Sequence, residues 1–304
     1  MWYCGWDGGG TKTEVCVTDE AGNETACRVF GPLNPNGTER EQVLKTVREA
    51  VAFMEAQPGG AGSCGGVVIG AAGVSNRETA GILTGALHAA GWQGPFRLAG
   101  DQEIALAGAI RGHGAILIAG TGSVLCGRDR DGNMFRVGGY GWRIDDGGSG
   151  YAIGRDILAA AARAADGRGK PTALTAMIRE KLGLGGGDIR NLITWLYAPE
   201  TGKKEIAALA ALLPEALRAG DEAATAVAEK AAEDLAELAV CGWRKSGMTD
   251  GELATAGSIL QKIPEIRERV RKRVNAEWPD IRVTEPRNRP ARGAAEMASQ
   301  SESR

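Results

Sequence analysis

The sequence has little of what builds metal or disulfide centres. It contains only two histidines, His88 and His113, and neither stands at a spacing that is typical of metal ligands. Its six cysteines are scattered along the chain, and no two of them form a C-x-x-C pair. This distribution predicts reduced, mostly buried thiols in a cytosolic protein, and it argues against a disulfide framework or an iron–sulfur cluster.

The chain also lacks an excess of charge and a long apolar run. The formal net charge is −2, so nucleic acid is not expected as the main partner, although a local basic site for phosphates remains compatible with that value. Residues 1–7 show neither the basic start nor the apolar stretch of a secretory signal, and no apolar run is long enough to span a bilayer. We therefore expect a cytoplasmic protein with no membrane partner. Its 304 residues, of which 43% are apolar, suffice for two domains with sizeable cores.

What the sequence does contain is an internal repeat. Residues 2–23 read as a strand, a glycine-rich turn, a second strand and a second turn, and residues 115–133 repeat this order. At a constant offset of 110 residues the matched pairs are Gly10 and Gly120, Thr11 and Thr121, Thr13 and Ser123, Cys16 and Cys126, Asp19 and Asp129, Gly22 and Gly132, and Asn23 and Asn133. Two such hairpins in register predict two related domains, each beginning with a β-hairpin.

The first turn of each copy is a candidate phosphate site. Glycine lets the main chain approach a ligand closely, and the exposed N–H groups of such a turn form a concave site for anions. The alternative is that both are only tight turns, but a plain hairpin does not need three glycines followed by threonine. Thr11 and Thr121 add hydroxyl donors, whereas Lys12 either adds charge or points to solvent. The candidate residues are Gly8, Gly9, Gly10, Thr11 and Lys12 in the first turn, and Gly120, Thr121, Gly122 and Ser123 in the second.

Two aspartates follow predicted strands. Asp7 ends the first strand, where a carboxylate is well placed to hold Mg²⁺, which prefers one or two carboxylates together with substrate phosphates. Its alternative role is that of a turn-forming aspartate. Asp101 lies between a strand and a helix, as either a plain helix N-cap or a general base that accepts a proton from a substrate hydroxyl.

Further segments fit an alternating α/β chain. Residues 65–71 and 96–99 read as buried strands, residues 101–109 as a helix, and residues 203–244 as helical with breaks at Pro214 and Gly220. Residues 253–256 and 281–284 read as strands, and residues 290–297 as a last helix. Gly257 and Ser258 form a turn that we assign to nucleotide contact.

A glycine-rich segment at residues 138–150 surrounds aromatic residues and a pair of carboxylates. Aromatic faces together with carboxylates and amides are typical of sugar binding. We favour a substrate loop over a merely mobile one, because a loop of this kind often closes an active site.

With these residues in hand, the sequence resembles the N-acetylglucosamine kinase-like branch of the actin, hexokinase and heat-shock-ATPase superfamily, also called the BadF/BadG/BcrA/BcrD ATPase family. The matching segments follow the order of the family along almost the whole chain. They are D-G-G-G-T-K-T (7–13), G-P-L-N (31–34), G-A-A-G (70–73), D-Q-E-I-A-L-A-G (101–108), I-L-I-A-G-T-G-S (116–123), G-G-Y-G and D-D-G-G-S-G within 138–150, A-G-S-I (256–259) and P-A-R-G-A-A (290–295).

The resemblance implies two ribonuclease-H-like (actin-like ATPase) domains of the α/β class that flank a nucleotide cleft. We expect a domain formed by residues 1–112 with a C-terminal helix at 288–304, and a second formed by residues 113–287. The implied ligands are ATP with Mg²⁺ and an amino sugar, most simply N-acetylglucosamine, in a homodimer. By the same resemblance Thr11 and Thr121 contact phosphates, and Asp101 is the base toward the sugar 6-hydroxyl. The implied sugar contacts are Asn34, Gly73, Asp101, Gly139, Tyr140 and Asp146, and the implied adenosine contacts are Gly257 and Ser258.

The sequence departs from the family pattern at two positions. Tyr140 replaces the usual tryptophan, and Gly147 replaces a glutamate, which leaves N-acetylmuramic acid and glucosamine open as substrates. Two rival functions also remain. One is an ATPase that activates a dehydratase or reductase through a cysteine-held iron–sulfur cluster, for which no cysteine stands in the matching loops. The other is a sugar sensor without turnover.

Overall fold

The computed structural model describes residues 1–34, 37–74, 76–184 and 190–300. The chain divides into two compact units. Unit 1 comprises residues 1–111 and 286–304, of which the last four lie outside the described residues, and unit 2 comprises residues 112–285. Within the described ranges, we find no helix with the length and apolar character that crossing a membrane requires.

Strands and helices alternate over residues 24–119, as the sequence predicts, whereas the elements described within residues 150–246 are all helical. The strands are β1 (Trp2–Gly8), β2 (Thr13–Asp19), β3 (Glu24–Phe30), β4 (Cys64–Ala71), β5 (Phe96–Gly100), β6 (Gly114–Ala119), β7 (Ser123–Arg128), β8 (Met134–Gly138), β9 (Gly251–Ala256) and β10 (Ile281–Thr284). The α-helices are α1 (Arg40–Glu55), α2 (Arg77–Ala89), α3 (Asp101–Ala109), α4 (Gly150–Ala165), α5 (Leu174–Leu182), α6 (Asn191–Leu196), α7 (Lys203–Ala207), α8 (Leu213–Arg218), α9 (Glu222–Ser246), α10 (Ser258–Lys262), α11 (Pro264–Glu277) and α12 (Pro290–Gln300).

The helix break predicted at Pro214 is confirmed. Helix α7 ends at Ala207, a 3-10 segment follows at Ala208–Leu212, and α8 begins at Leu213. Pro214 lies in the first turn of α8, where proline is tolerated because its missing N–H would have no partner within the helix. The predicted break at Gly220 is confirmed, because this residue has a φ of 72° between α8 and α9.

Unit 1 is built on a mixed sheet with the strand order β3-β2-β1-β4-β5. The first three strands are antiparallel neighbours, and β4 and β5 run parallel to β1. Alternation along β1 sends Trp2, Cys4 and Trp6 into the core formed with α1 and α2. The opposite face of the sheet carries α3 and α12, whose buried residues pack on Tyr3. Helices on both faces bury the sheet, which explains why its central strands are almost continuously apolar.

Unit 2 repeats this arrangement with the strand order β10-β9-β6-β7-β8. Strands β6, β7 and β8 are antiparallel, and β9 and β10 run parallel to β6. The core lies between this sheet and helices that include α4, α9 and α11. Helix α9 starts where the Asp221 side chain accepts the N–H of Ala224, and it ends at Gly247 in the left-handed conformation.

The structure supports the duplication in atomic detail. In unit 1 the Asp19 carboxylate accepts the backbone N–H of Asn23 at 2.7 Å and its side-chain amide at 3.0 Å. In unit 2 the Asp129 carboxylate accepts the same two groups of Asn133 at 2.8 and 3.0 Å. The first turns differ, however. The ends of β1 and β2 enclose residues 9–12, whereas those of β6 and β7 enclose residues 120–122. The offset of 110 residues therefore relates β7 and the turn after it to β2 and its turn. Strand β6 is related to β1 by an offset of 111, because the turn between β6 and β7 is one residue shorter.

Candidate functional site

Three parallel strands of unit 1 end side by side. Gly8 at the end of β1 is in register with Ala71 at the end of β4, and Ala71 is in register with Gly100 at the end of β5. Asp7 and Asp101 therefore lie at the same edge of the sheet, where the carboxyl ends of parallel strands usually present functional groups.

Asp7 sits in surroundings that disfavour its charge. Burial raises the pKa of its carboxyl to about 6, and repulsion from Glu14 and Asp101 adds to the rise, while Lys12 opposes it. A cation at this position would relieve both the repulsion and part of the desolvation. Among the described residues, no group of three or more side chains could bind a metal without help. The donor set fits Mg²⁺, which keeps several waters and takes one or two carboxylates.

Asp101 is exposed at the start of α3. Its carboxylate accepts the N–H of its neighbour Gln102 at 2.9 Å. The helix starts at Asp101 itself, and Gly100 occupies the N-cap position without a side-chain bond. Asp101 is therefore the first residue of the helix rather than its N-cap; its Oδ1 accepts a hydrogen bond from a first-turn N–H, and the side chain remains exposed to a ligand.

The first glycine turn is tied to the segment after β3. The N–H of Gly9 donates to the carbonyl of Lys12 at 3.0 Å, and the N–H of Leu33 donates to the carbonyl of Gly9 at the same distance. These bonds bring Asn34 beside the turn, because its side-chain nitrogen lies 3.9 Å from where a Cβ on Gly10 would stand. Thr11 and Lys12 are exposed.

Gly73 lies in the turn that follows β4, next along the same sheet edge. It is exposed, has a φ of 78°, and accepts the N–H of Asn76 through its carbonyl at 2.9 Å. Unit 1 thus brings Asp7, the first glycine turn, Asn34 and Asp101 into one region, with Gly73 following the neighbouring strand.

The second glycine turn, in unit 2, meets the start of a long helix. The N–H of Gly120 donates to the carbonyl of Gly122 at 2.9 Å, and the carbonyl of Gly120 accepts the N–H of Gly150 at 2.7 Å. Ser149 caps α4 by accepting the N–H of Ala152 at 3.2 Å. The positive end of the α4 dipole therefore lies at the turn and favours anions there.

The buried side chain of Asp146 packs against this turn and bonds to it. It is only 3% exposed and has a φ of 64°, the single positive value among the non-glycine residues that the structure describes. Its carboxylate accepts the N–H of Ser123 at 3.4 Å and the ammonium of Lys203 at 2.8 Å. The structure thus places Asp146 against the predicted phosphate turn, and its implied sugar contact stays a prediction.

The predicted substrate loop is ordered by its own polar contacts. The Arg136 guanidinium donates to the carbonyls of Gly138, at 3.0 Å, and Gly139. The Asp145 carboxylate accepts the N–H of Tyr140 at 3.0 Å. Tyr140 itself is 78% exposed, so its ring can stack on a ligand.

The glycine at position 147 makes room for a carboxylate from another element. A Cβ there would stand 3.0 Å from the Cβ and Cγ of Asp234 on α9. Asp234 accepts the N–H of Gly148, and burial raises the pKa of its carboxyl. Where the family pattern has a glutamate, this protein therefore has a carboxylate that reaches the loop from α9.

Gly257 and Ser258 lie beside the second glycine turn. Gly257 has a φ of 88°, and a Cβ on it would stand 2.3 Å from the carbonyl oxygen of Ala119 at the end of β6. Only glycine fits such a close approach, and it leaves Ser258 exposed as the first residue of α10. Unit 2 thus brings the second turn, Asp146 and Gly257 together.

Sequence reasoning missed three residues that shape the unit 2 site: Ser149, Lys203 and Asp234. Ser149 had a detectable signal, since serine before a helical segment is a common N-cap. Lys203 and Asp234 had none, because each meets the site only through folding of a distant segment.

The fold and the glycine turns define a class of protein, the two-domain ATPases with ribonuclease-H-like, actin-like domains. Within that class, this chain belongs to the BadF/BadG/BcrA/BcrD ATPase family, whose family model matches residues 4–298. Both the resemblance and the fold class predicted from the sequence are confirmed.

Three relatives illustrate the similarity. The chain is 32% identical over 302 residues to the N-acetylmuramic acid/N-acetylglucosamine kinase of Clostridium acetobutylicum, with 97% of both chains covered. It is 28% identical to the N-acetyl-D-glucosamine kinase of Dictyostelium discoideum, again with 97% of both covered. A solved structure from Chromobacterium violaceum, whose proposed activity is that of an N-acetylglucosamine kinase, superimposes with a TM-score of 0.72 at 25% identity and covers 98% of both chains.

Proposed function

We propose that this protein is an ATP-dependent kinase of an amino sugar, with N-acetylglucosamine as the preferred substrate and its 6-hydroxyl as the acceptor. The observation that carries the proposal is the exposed Asp101 carboxylate, which lies at the same sheet edge as Asp7 and the first glycine turn. Membership of an ATPase family and similarity over 97% of the chain to a kinase of such sugars support it.

In the proposed reaction Asp101 accepts the proton of the sugar hydroxyl as its oxygen attacks the γ-phosphorus of ATP. The new oxygen–phosphorus bond forms while the bond to the bridging oxygen breaks, and ADP leaves. The protein contributes mainly position and charge to such a transfer. When bound, Mg²⁺ neutralises charge on the phosphates, and Asp7 is the side chain that would hold it, directly or through water.

The remaining roles are those that the family resemblance implies for each residue. In unit 1 we assign residues 8–12 to phosphate and Asn34 and Gly73 to sugar. In unit 2 we assign residues 120–123 to phosphate, Gly257 and Ser258 to adenosine, and Gly139, Tyr140 and Asp146 to sugar. The homodimer and the cytoplasmic location stay predictions.

The choice of sugar has two alternatives. N-acetylmuramic acid is supported by the name of the Clostridium acetobutylicum relative, which covers both sugars. Glucosamine remains open because Tyr140 and Gly147 depart from the family pattern. The exposed Tyr140 ring suits the face of any of these sugars.

The structure bears on the rival role as an activator ATPase. A cluster-bridged activator needs cysteines that reach a shared iron–sulfur centre at a surface. Cys126, the cysteine nearest the second turn in sequence, is 2% exposed within β7. Its burial favours the kinase over the activator.

The proposal is tested by ADP release from ATP and Mg²⁺ with N-acetylglucosamine, N-acetylmuramic acid, glucosamine, N-acetylmannosamine and glucose. We expect sugar-dependent turnover that Asp101→Asn lowers by about 10²- to 10⁴-fold, since it removes the base. Glu103→Gln is the matched control, because Glu103 lies in the same helical turn and pairs with Arg97 at 3.1 Å. Hydrolysis that ignores every sugar would favour the activator, and ligand binding without turnover would favour the sensor.

A further inference from the structure

The buried Asp146 carboxylate is poorly placed unless something neutralises it. Its side chain is 5% exposed, and its backbone occupies the left-handed region that few non-glycine residues adopt. A buried carboxylate without a partner is strongly unfavourable. The cation that meets it is Lys203, whose ammonium lies 2.8 Å from Asp146 Oδ2 and whose side chain is 28% exposed.

Asp146 in turn fixes the second glycine turn. Its Oδ1 accepts the N–H of Ser123, and its Oδ2 lies 2.7 Å from where a Cβ on Gly122 would stand. The Ser123 hydroxyl adds a bond to the carbonyl of Gly147 at 2.7 Å. The carboxylate is therefore packed on the turn itself, and a shift of Asp146 would move the backbone of residues 122–123.

Lys203 is held in place by a close helix contact. It is the first residue of α7, and this helix approaches α4 so closely that a Cβ on Gly154 would stand 2.0 Å from the carbonyl oxygen of Ile206. One turn earlier in α4, a Cβ on Gly150 would stand 3.4 Å from the Cβ of Ala207 in α7. Since Gly150 also bonds to Gly120, helix α7 is fixed relative to the turn.

We propose that Lys203 is a positioning residue of the nucleotide site, which acts through Asp146 to hold the 120–123 turn in the geometry that receives phosphate. The inference rests on the proposed function in that it takes this turn as a phosphate site. It adds a residue far away in sequence that sets the affinity of the protein for nucleotide.

The test is ADP binding measured by calorimetry with the full-length protein and no sugar, so that it does not depend on phosphoryl transfer. We expect Lys203→Met to weaken ADP binding about tenfold or more, because small displacements of a positioned group have large effects. Lys203→Arg retains the charge and restores most of the affinity. Lys204→Met is the matched control, since Lys204 is exposed on the same helix and leaves the affinity unchanged.

A double-mutant cycle separates this role from direct phosphate contact. If Lys203 acts through Asp146, the pair Asp146→Asn with Lys203→Met binds ADP as weakly as Asp146→Asn alone, and it also removes the unpaired buried charge that threatens folding of the single variant. Additive effects, or full affinity in folded Lys203→Met, would overturn the inference. Wild-type protein that does not bind ADP would instead refute the nucleotide site and the proposed function with it.

Discussion

Asp7 lowers the stability of the fold at neutral pH while it supplies the carboxylate that we propose for the metal site. Its folded-state pKa of about 6 exceeds the ordinary value of 3.8, so the fold disfavours the charged form. Above pH 6 the carboxylate is ionised in both the folded and the unfolded chain, and the full penalty applies. The penalty is relieved as the pH falls from about 6 toward 3.8, where protonation of the folded state comes first.

Because the raised pKa of Asp7 destabilises the fold above pH 6, it leads to a prediction for Asp7→Asn. At pH 7.5 without divalent metal, the variant should be more stable than the wild type by about 1–3 kcal/mol, and the difference should shrink toward pH 4. Kinase activity should fall, because the proposed metal ligand is lost. Urea unfolding over this pH range measures the effect. Asp19→Asn is the control of opposite sign, since hydrogen bonds from Asn23 lower the pKa of Asp19. An Asp7→Asn protein that is less stable at pH 7.5 would contradict the argument.

At the scale of elements, the packing of α12 on β1 depends on one glycine. A Cβ on Gly5 would stand 2.1 Å from the carbonyl oxygen of Ala291 and 2.2 Å from the nitrogen of Ala295. Both are backbone atoms, so no side-chain rotation relieves the overlap. Helix α12 therefore lies on the sheet at a distance that only glycine in β1 permits.

We expect Gly5→Ala to lower the free energy of unfolding by about 3 kcal/mol or more, at the upper end of overpacking effects. Gly81→Ala in α2 is the matched control, because no atom lies within 4 Å of its Cβ position, and alanine there should be neutral or stabilise by up to about 1 kcal/mol. Thermal or urea unfolding compares the two variants. Gly5→Ala with wild-type stability would show that α12 does not pack on β1 in this way.

The contrast between Gly5 and Gly10 shows what the sequence reveals at this scale. Gly10 belongs to a run of three glycines before a threonine, and its turn is predictable from local chemistry. Gly5 is an isolated glycine in an apolar strand, and its reason lies in a helix that begins 285 residues later, at Pro290. The ion pair of Lys203 and Asp146 escapes prediction for the same reason, since no local pattern encodes a contact between distant segments.

For the whole molecule, two hairpins in register, each with a glycine-rich first turn and an Asp–Asn second turn, predicted two related domains, and the two second turns make the same hydrogen bonds. The one-residue difference between the first turns was not visible, since glycine-rich segments align equally well with or without it. Strand order followed from neither copy alone. It depends on the parallel pairing of β4 with β1 and of β9 with β6, which only tertiary packing decides.

Unit 2 is formed by one continuous segment of the chain and unit 1 by two separate segments, and this difference predicts different folding behaviour. Unit 2 is continuous from residue 112 to residue 285 and has its own core. Unit 1 needs α12. Ala294 and Ala298 of this helix are buried against Tyr3 on the face of the sheet that also carries α3. A fragment of residues 112–285 should therefore fold alone, with a cooperative melt by circular dichroism, whereas residues 1–111 should not.

Unit 1 should be recovered by joining residue 111 to residue 286 through a short Gly/Ser linker. The join is short because Arg287 and Asn288 donate their N–H groups to the carbonyls of Ala109 and Gly108 at 3.1 and 2.8 Å. The same fusion carrying Gly5→Ala is the control. It should fail to fold, because the added Cβ prevents α12 from packing on β1. Cooperative folding of residues 1–111 without α12 would mean that the sheet and its first helices suffice. The C-terminal helix would then be an addition to a complete domain rather than part of its core.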